Sequence, residues 1–203
     1  MRRYILRAGA AAVLTLAGLA AGCASSPPSR FYRLTAVAPS ASARPLGALR
    51  APVRVAAVHV PATLDREEIV RTGPGNRLEI DGLDRWGAPL DEMAQRVLTE
   101  DLIERLPRGS VVLPQSPVPI GTDQIVVDLL AFQSDTSGRV ELQGGWSLVT
   151  PRAGGLTLLR EVRYHAAAPS IGFDRQAAVM SEMLGRLADD IARSLPRRSA
   201  ARR

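Results

Sequence analysis

The hydrophobic pattern of this chain contains two long stretches with helical periodicity. Apolar residues recur every three or four positions in residues 89–106, and they do so again over residues 174–195, where Pro196 ends the pattern. The two apolar stripes are Leu90, Met93, Ala94, Val97, Leu98 and Leu102, and Met180, Met183, Leu184, Leu187, Ala188, Ile191 and Leu195. The pattern predicts two amphipathic helices, with Asp174 as the N-cap of the second.

Apolar runs and alternating patterns predict the strands. They lie at residues 31–36, 53–60, 68–72, 77–81, 124–132, 139–150 and 156–166, with a further short strand at 111–113. The last two strands form an antiparallel hairpin, with one face made of Val140, Leu142, Trp146 and Leu148, and of Leu156, Leu158, Val162 and Tyr164. Residues 63–66 are predicted to form a turn or a short helix, and residues 38–52 an exposed loop.

The order of these elements predicts the fold class. Two early strands, a short hairpin, a helix, a three-strand meander and a final helix are expected from the sequence. This order is typical of an α+β protein. We therefore predict a single domain with a mainly antiparallel β-sheet and two amphipathic helices packed on one face.

The N-terminal segment predicts export and lipid attachment. Positive residues precede an uncharged run of 14 residues, 8–21, which is short for a transmembrane helix, and small residues precede Cys23, the only cysteine. This segment resembles a bacterial lipoprotein signal, although Ala20 stands where that pattern usually has leucine. The resemblance implies a covalent lipid on Cys23, such as diacylglycerol with palmitate. An ordinary signal peptide or a simple membrane anchor with an incidental cysteine is the alternative.

These observations divide the chain into four parts. Residues 1–22 are the predicted lipoprotein signal peptide, 23–30 the lipidated cysteine and tether, 31–195 the folded domain, and 196–203 a basic flexible tail. Ala24 after the cysteine resembles the pattern of lipoproteins sorted to the outer membrane, where the domain would face the periplasm. Apart from the lipid on Cys23, no cofactor is expected.

Charge and composition exclude several classes of function. The formal net charge is +6, but the excess lies at residues 1–7 and 197–203, so the body is close to neutral and predicts no nucleic-acid partner. The chain has no lysine and therefore no P-loop, and no metal-binding motif is present. His59 and His165 lie on predicted strands, where an ordinary structural or surface role is expected. The sequence predicts a protein that is not an enzyme.

Six short motifs carry a resemblance to a known family. They are Phe31-Tyr32-Arg33-Leu34, Val58-His59-Val60-Pro61, Leu64-Asp65-Arg66, Ile69-Val70-Arg71, Asn76-Arg77-Leu78 and Arg85-Trp86-Gly87-Ala88-Pro89-Leu90. The chain resembles the PqiC-like, ABC-type transport auxiliary lipoprotein family. The likeness extends over essentially the whole mature chain and is most specific in residues 61–90.

The resemblance implies a docking role. Members are accessory lipoproteins of ABC-type transport systems, partners of an MCE-domain protein whose conduit they join to the outer membrane, and often homo-oligomers. They support phospholipid transport and envelope integrity. The residues expected to fix the fold or contact the partner are Phe31, Tyr32, Pro61, Leu64, Asp65, Arg66, Arg71, Arg85, Trp86, Pro89 and Leu90. Among them, Trp86 is an expected apolar anchor, and Asp65 is expected to form buried ion pairs with Arg66, Arg71 and Arg85.

Two other functions stay open from the sequence. A stand-alone structural lipoprotein would assist assembly of another outer-membrane component. An envelope hydrolase would need His59 or His165 beside a nucleophile in a pocket.

Overall fold

The computed structural model describes residues 27–39, 47–168 and 171–198, and the fold is stated for these residues. Cys23, the predicted signal peptide and residues 199–203 of the predicted tail lie outside them. The lipidation of Cys23 and the domain boundaries therefore stay predictions.

The described residues form seven strands and two helices. The strands are β1 (Arg30–Tyr32), β2 (Val53–His59), β3 (Glu68–Thr72), β4 (Leu78–Trp86), β5 (Asp123–Asp135), β6 (Arg139–Thr150) and β7 (Gly155–Ala167). The helices are α1 (Leu90–Arg105) and α2 (Phe173–Ser194). Most predicted elements are confirmed, with β4 longer and β1 shorter than the pattern indicated. A single bridge between Val53 and Val111 stands where the short strand 111–113 was predicted.

All seven strands belong to one mixed sheet with the order β1-β4-β3-β5-β6-β7, and β2 also pairs with β5. The antiparallel pairs are β3–β4, β5–β6 and β6–β7. The pairs β1–β4, β2–β5 and β3–β5 are parallel. With two helices packed against this sheet, the predicted α+β class of a single domain is confirmed.

The core lies between the sheet and the helices. Both predicted helical stripes are buried, and they meet the inward residues of β5 and β6, including Phe132 and Trp146. Helix α1 packs against β2 and against α2, while α2 also packs on β5, β6 and β7. Burial of these apolar side chains is the main stabilising contribution to the fold.

A β-bulge in the last hairpin changes one predicted face. Leu148 pairs with Leu158, but Val149 pairs with Leu156, so Thr157 is an extra residue on β7. The shift moves Leu156 away from the core, and its side chain is 63% exposed. The prediction that Leu156 shares the buried face of this hairpin is therefore wrong.

Two further predictions differ from the structure at local contacts. Gly172, not Asp174, is the N-cap of α2, and Asp174 lies in the first turn of that helix. Within the predicted exposed loop 38–52, Leu49 is buried and forms an isolated antiparallel bridge with Arg197. The chain just after α2 therefore lies against the segment that precedes β2.

Candidate functional site

The first and last motifs meet where β1 lies beside β4, with Phe31 opposite Arg85 and Tyr32 opposite Trp86. Asp84, on β4, is fully buried and receives a hydrogen bond from Arg30 Nε to Oδ1 (2.7 Å) and another from Arg30 Nη2 to Oδ2 (2.5 Å). The hydroxyl of Tyr32 also donates to Asp84 Oδ1, at 2.7 Å. The parallel register of β1 and β4 aligns Arg30 with Asp84 and so places these groups together. We call Arg30, Tyr32 and Asp84 the Asp84 cluster.

The electrostatics of the Asp84 cluster favour the ionised carboxylate. Burial opposes ionisation, but the hydrogen bonds from Arg30 and Tyr32 outweigh it and hold the pKa of Asp84 below its usual value. Burial and the bond to Asp84 together raise the pKa of Tyr32 to about 12. Tyr32 is therefore a neutral donor over the whole physiological range, and the cluster fastens the start of the domain to β4.

The other motif residues differ in how far they are buried. Leu64, Trp86 and Leu90 are buried in the core, as an apolar anchor at position 86 requires. Pro61 lies at the end of β2, where its carbonyl accepts a hydrogen bond from the Leu64 amide (2.8 Å), and Pro89 is the N-cap residue of α1. Phe31 points away from the core and is 68% exposed. Leu64, Trp86 and Leu90 are therefore part of the core, whereas Phe31 lies on the surface.

The predicted ion pairs of the motif have different partners. Arg66 pairs with Glu68 (3.0 Å) and Arg85 with Glu67 (3.1 Å), both at the surface. Arg71 lies 3.9 Å from Glu79 and also stacks over the ring of Phe173, 4.6 Å from its centroid. None of these pairs includes Asp65, which is exposed. The expectation of buried pairs to Asp65 is wrong, because the turn that carries Asp65 faces solvent.

A second buried carboxylate lies in the helix layer. Asp101, on α1, is fully buried and accepts a hydrogen bond from the Val37 amide (2.7 Å), while Arg105 lies 3.4 Å away and also binds Asp189 (2.6 Å). Burial raises the pKa of Asp101 to about 6, against the opposing effects of the Val37 amide and Arg105. We call Val37, Asp101, Arg105 and Asp189 the Asp101 cluster. It holds the chain after β1 against both helices.

A wide groove opens beside the start of α1. It encloses about 910 Å³, and its charged lining consists of Arg33, Arg54, Arg96 and Glu92. Gly87 and Ala88 of the last motif form part of its wall. The three arginines come from β2, α1 and the segment after β1, so their grouping was missed by sequence reasoning. The only local signal was Arg33 inside the first motif.

Among the described residues, His59 and His165 lie beside the carboxylates of Asp128 and Glu141, and neither forms a hydrogen bond with a Ser or Thr hydroxyl. His59 Nδ1 lies 2.7 Å from Asp128, and both side chains are mostly exposed. His165 borders a depression of about 280 Å³, as does Ser134, but the Ser134 hydroxyl donates to Gln176 Oε1 at 2.6 Å. Within residues 27–39, 47–168 and 171–198, no group of three or more His, Cys, Asp and Glu side chains is arranged to hold a metal ion. In the same residues, neither helix has the length and hydrophobicity needed to cross a membrane.

Comparison with protein families identifies the chain. The sequence model of the family described as "ABC-type transport auxiliary lipoprotein component" matches residues 32–192. The chain belongs to this family. The match covers the Asp84 cluster from Tyr32 onward, the Asp101 cluster and the arginine groove, so all three are features of the family domain in this chain. The family is one of auxiliary transport components and not a family of enzymes.

Solved structures share the fold. The crystal structure of a protein described as uncharacterized has a TM-score of 0.68 and 22% identity, covering 82% of this chain and 98% of its own. A protein from Xanthomonas campestris, assigned to the DUF330 family, has a TM-score of 0.61 and 16% identity, covering 80% and 92% respectively. Among curated proteins, none matches the chain. At these identities the solved structures establish the fold alone.

Proposed function

We propose that this protein is the outer-membrane accessory lipoprotein of an MCE-type ABC transport system. It is held to the membrane by lipid on Cys23, faces the periplasm, and docks the periplasm-spanning conduit of an MCE-domain protein. In this role it supports phospholipid transport and envelope integrity.

The family match over residues 32–192 carries this proposal, because it spans nearly the whole described domain. An auxiliary lipoprotein of a transporter contributes position and contact, not chemistry. The motif residues agree with such a role, since Tyr32 belongs to the Asp84 cluster and Leu64, Trp86 and Leu90 lie in the core.

The position of β1 supports anchoring close to a membrane. Residues 27–29 are exposed, and the chain first enters the sheet at Arg30, on the edge strand. At roughly 3.3 Å per residue, the six residues between Cys23 and Arg30 reach about 20 Å from the lipid. A domain on this tether would stay within a short distance of the membrane and present its surface at a high effective concentration.

Affinity purification of the tagged protein from envelopes in mild detergent tests the proposal. An MCE-domain protein is expected in the purified complex, and the native mass of the complex also tests the homo-oligomer that the family resemblance implies. The matched control is Cys23→Ala, which should fold but leave the membrane fraction. Recovery of another outer-membrane component without any MCE-domain protein would contradict the proposal and favour a stand-alone structural lipoprotein.

A further inference from the structure

The groove beside α1 has a positive lining in a domain that is otherwise close to neutral. Arg33, Arg54, Arg96 and a single acidic residue, Glu92, line this groove of about 910 Å³. A pocket of this size accommodates a small organic ligand. Because guanidinium groups outnumber carboxylates in this concave surface, binding of an anionic ligand is favoured.

Arg33 contributes a charge to the lining of the groove. Arg30 and Arg85, in contrast, are paired with the carboxylates of Asp84 and Glu67. Arg33 forms no side-chain hydrogen bond or ion pair with any other residue that the structure describes. Its charge is therefore available at the mouth of the groove.

Arg54 and Arg96 are oriented by partners that leave donors unused. Arg54 Nη2 donates to the Pro114 carbonyl at 2.7 Å, while its Nε is buried without a partner in the described part of the chain. Arg96 Nη1 donates to Glu100 at 2.9 Å, and Nη2 lies 3.5 Å from the Leu34 carbonyl. A guanidinium group has five N–H donors, so both side chains retain donors for a ligand.

The walls of the groove define the class of anion further. Guanidinium groups match the tetrahedral oxygens of phosphate with two parallel hydrogen bonds, which is why arginine is common in phosphate sites. Met93 and the half-exposed Leu113 add apolar wall beside these charges. Such a lining suits a phosphate that carries an organic group.

We propose that this groove binds a phosphate-bearing anion through Arg33, Arg54 and Arg96. Two sources share this chemistry, the phosphodiester headgroup of an anionic phospholipid and free inorganic phosphate. The proposal stands apart from the docking function, since docking to an MCE-domain protein does not require phosphate binding by this subunit.

Calorimetric titration of the purified full chain carrying Cys23→Ala tests the groove, because no attached lipid can then compete. One arm uses inorganic phosphate, and the other uses short-chain phosphatidylglycerol below the concentration at which it aggregates. Saturable binding of phosphatidylglycerol alone assigns the groove to a lipid headgroup, and saturable binding of phosphate to the free anion. Binding of neither probe overturns the proposal.

The variants Arg33→Gln and Arg96→Gln are expected to weaken binding of the responding probe by about tenfold each, the usual effect of losing one charge-assisted contact. The matched control is Arg163→Gln, an exposed arginine on β7 at the opposite edge of the sheet. It should bind as the unsubstituted chain does. Circular dichroism and a thermal melt establish that each variant is folded. Equal affinity in folded Arg33→Gln, or an equal loss in Arg163→Gln, would overturn the proposal.

Discussion

Asp84 and Asp101 are both fully buried aspartates that hold the same stretch of chain, yet their pKa values move in opposite directions. Asp84 fixes Arg30 and Tyr32 to β4, and Asp101 fixes Val37 to the helices. Both oxygens of Asp84 accept from a guanidinium group. In contrast, Oδ2 of Asp101 is buried without a hydrogen bond from any described residue.

The difference shows that burial alone does not decide whether a carboxylate is ionised. Direct donors on both oxygens stabilise the charge of Asp84 more than burial disfavours it. At Asp101, burial dominates, and neighbouring Asp189 adds repulsion. The Asp84 cluster therefore stabilises the fold as an ion pair. In the Asp101 cluster, keeping the buried carboxylate ionised at neutral pH costs free energy.

The largest expected effect comes from breaking the Asp101 cluster at Arg105. Replacing this buried arginine in Arg105→Met leaves Asp101, Asp189 and the Val37 carbonyl without their shared donor. We expect a loss of about 3–5 kcal/mol in the free energy of unfolding, measured by urea denaturation. The matched control is Arg96→Met, which removes an exposed pair of the same i,i+4 spacing to Glu100 and should cost less than about 1 kcal/mol. Equal losses would refute the assigned role of Arg105.

The substitution Asp84→Asn tests the other side of the comparison. The amide cannot accept two charge-assisted bonds from Arg30, so the free energy of unfolding should fall by about 1–3 kcal/mol. The loss is limited because the Arg30 side chain is 64% exposed and can return to water. Asp101→Asn, whose amide oxygen still accepts from Val37, should change stability at pH 7 by less than about 1 kcal/mol. A larger loss in Asp101→Asn than in Asp84→Asn would reverse the comparison.

The pH dependence of stability should separate the two carboxylates. The folded pKa of Asp101 is raised to about 6, so the folded state binds more protons than the unfolded state between about pH 4 and 6. Stability from this group therefore rises as the pH falls through that window. Asp84 has a lowered pKa, and its contribution is lost only as the pH falls below the usual aspartate range.

Urea denaturation at pH 7 and pH 5 measures this effect. Relative to Asp101→Asn, the unsubstituted protein should gain about 1 kcal/mol between these two values. If the free energy of unfolding changed equally with pH in both proteins, Asp101 would not titrate in this window.

The smallest expected effect is that of Tyr32→Phe. It removes one donor from Asp84 while both bonds from Arg30 remain, and half-buried Tyr32 leaves room for water to replace it. The expected loss is about 0.5–1 kcal/mol in the free energy of unfolding. In the Asp84→Asn background the loss should shrink, and an undiminished loss there would show that Tyr32 acts independently of Asp84.

Local patterns account for what could be predicted from the sequence. The helical stripes were predictable because residues three and four apart share a face, and the β6–β7 hairpin because its strands are adjacent in the chain. The Asp84 cluster was not predictable, since Arg30 and Asp84 are 54 positions apart and meet only through the parallel pairing of β1 and β4. The arginine groove was not predictable for the same reason, because its three arginines lie on separate segments and follow no periodic pattern in the sequence. Leu156 was misplaced because the alternation of the residues after Thr157 does not reveal the extra residue at the bulge.

The position of the Asp84 cluster has a mechanical consequence. β1 lies at the edge of the sheet and runs parallel to β4, with Arg30 as the first residue of the strand. Tension transmitted along the chain from residues before Arg30 would act along the length of β1. The backbone bonds to β4 and the Arg30–Asp84 ion pair would then be loaded together in shear, instead of opening one after another. The contacts that resist such a pull therefore lie at the first strand residue that the pull would reach.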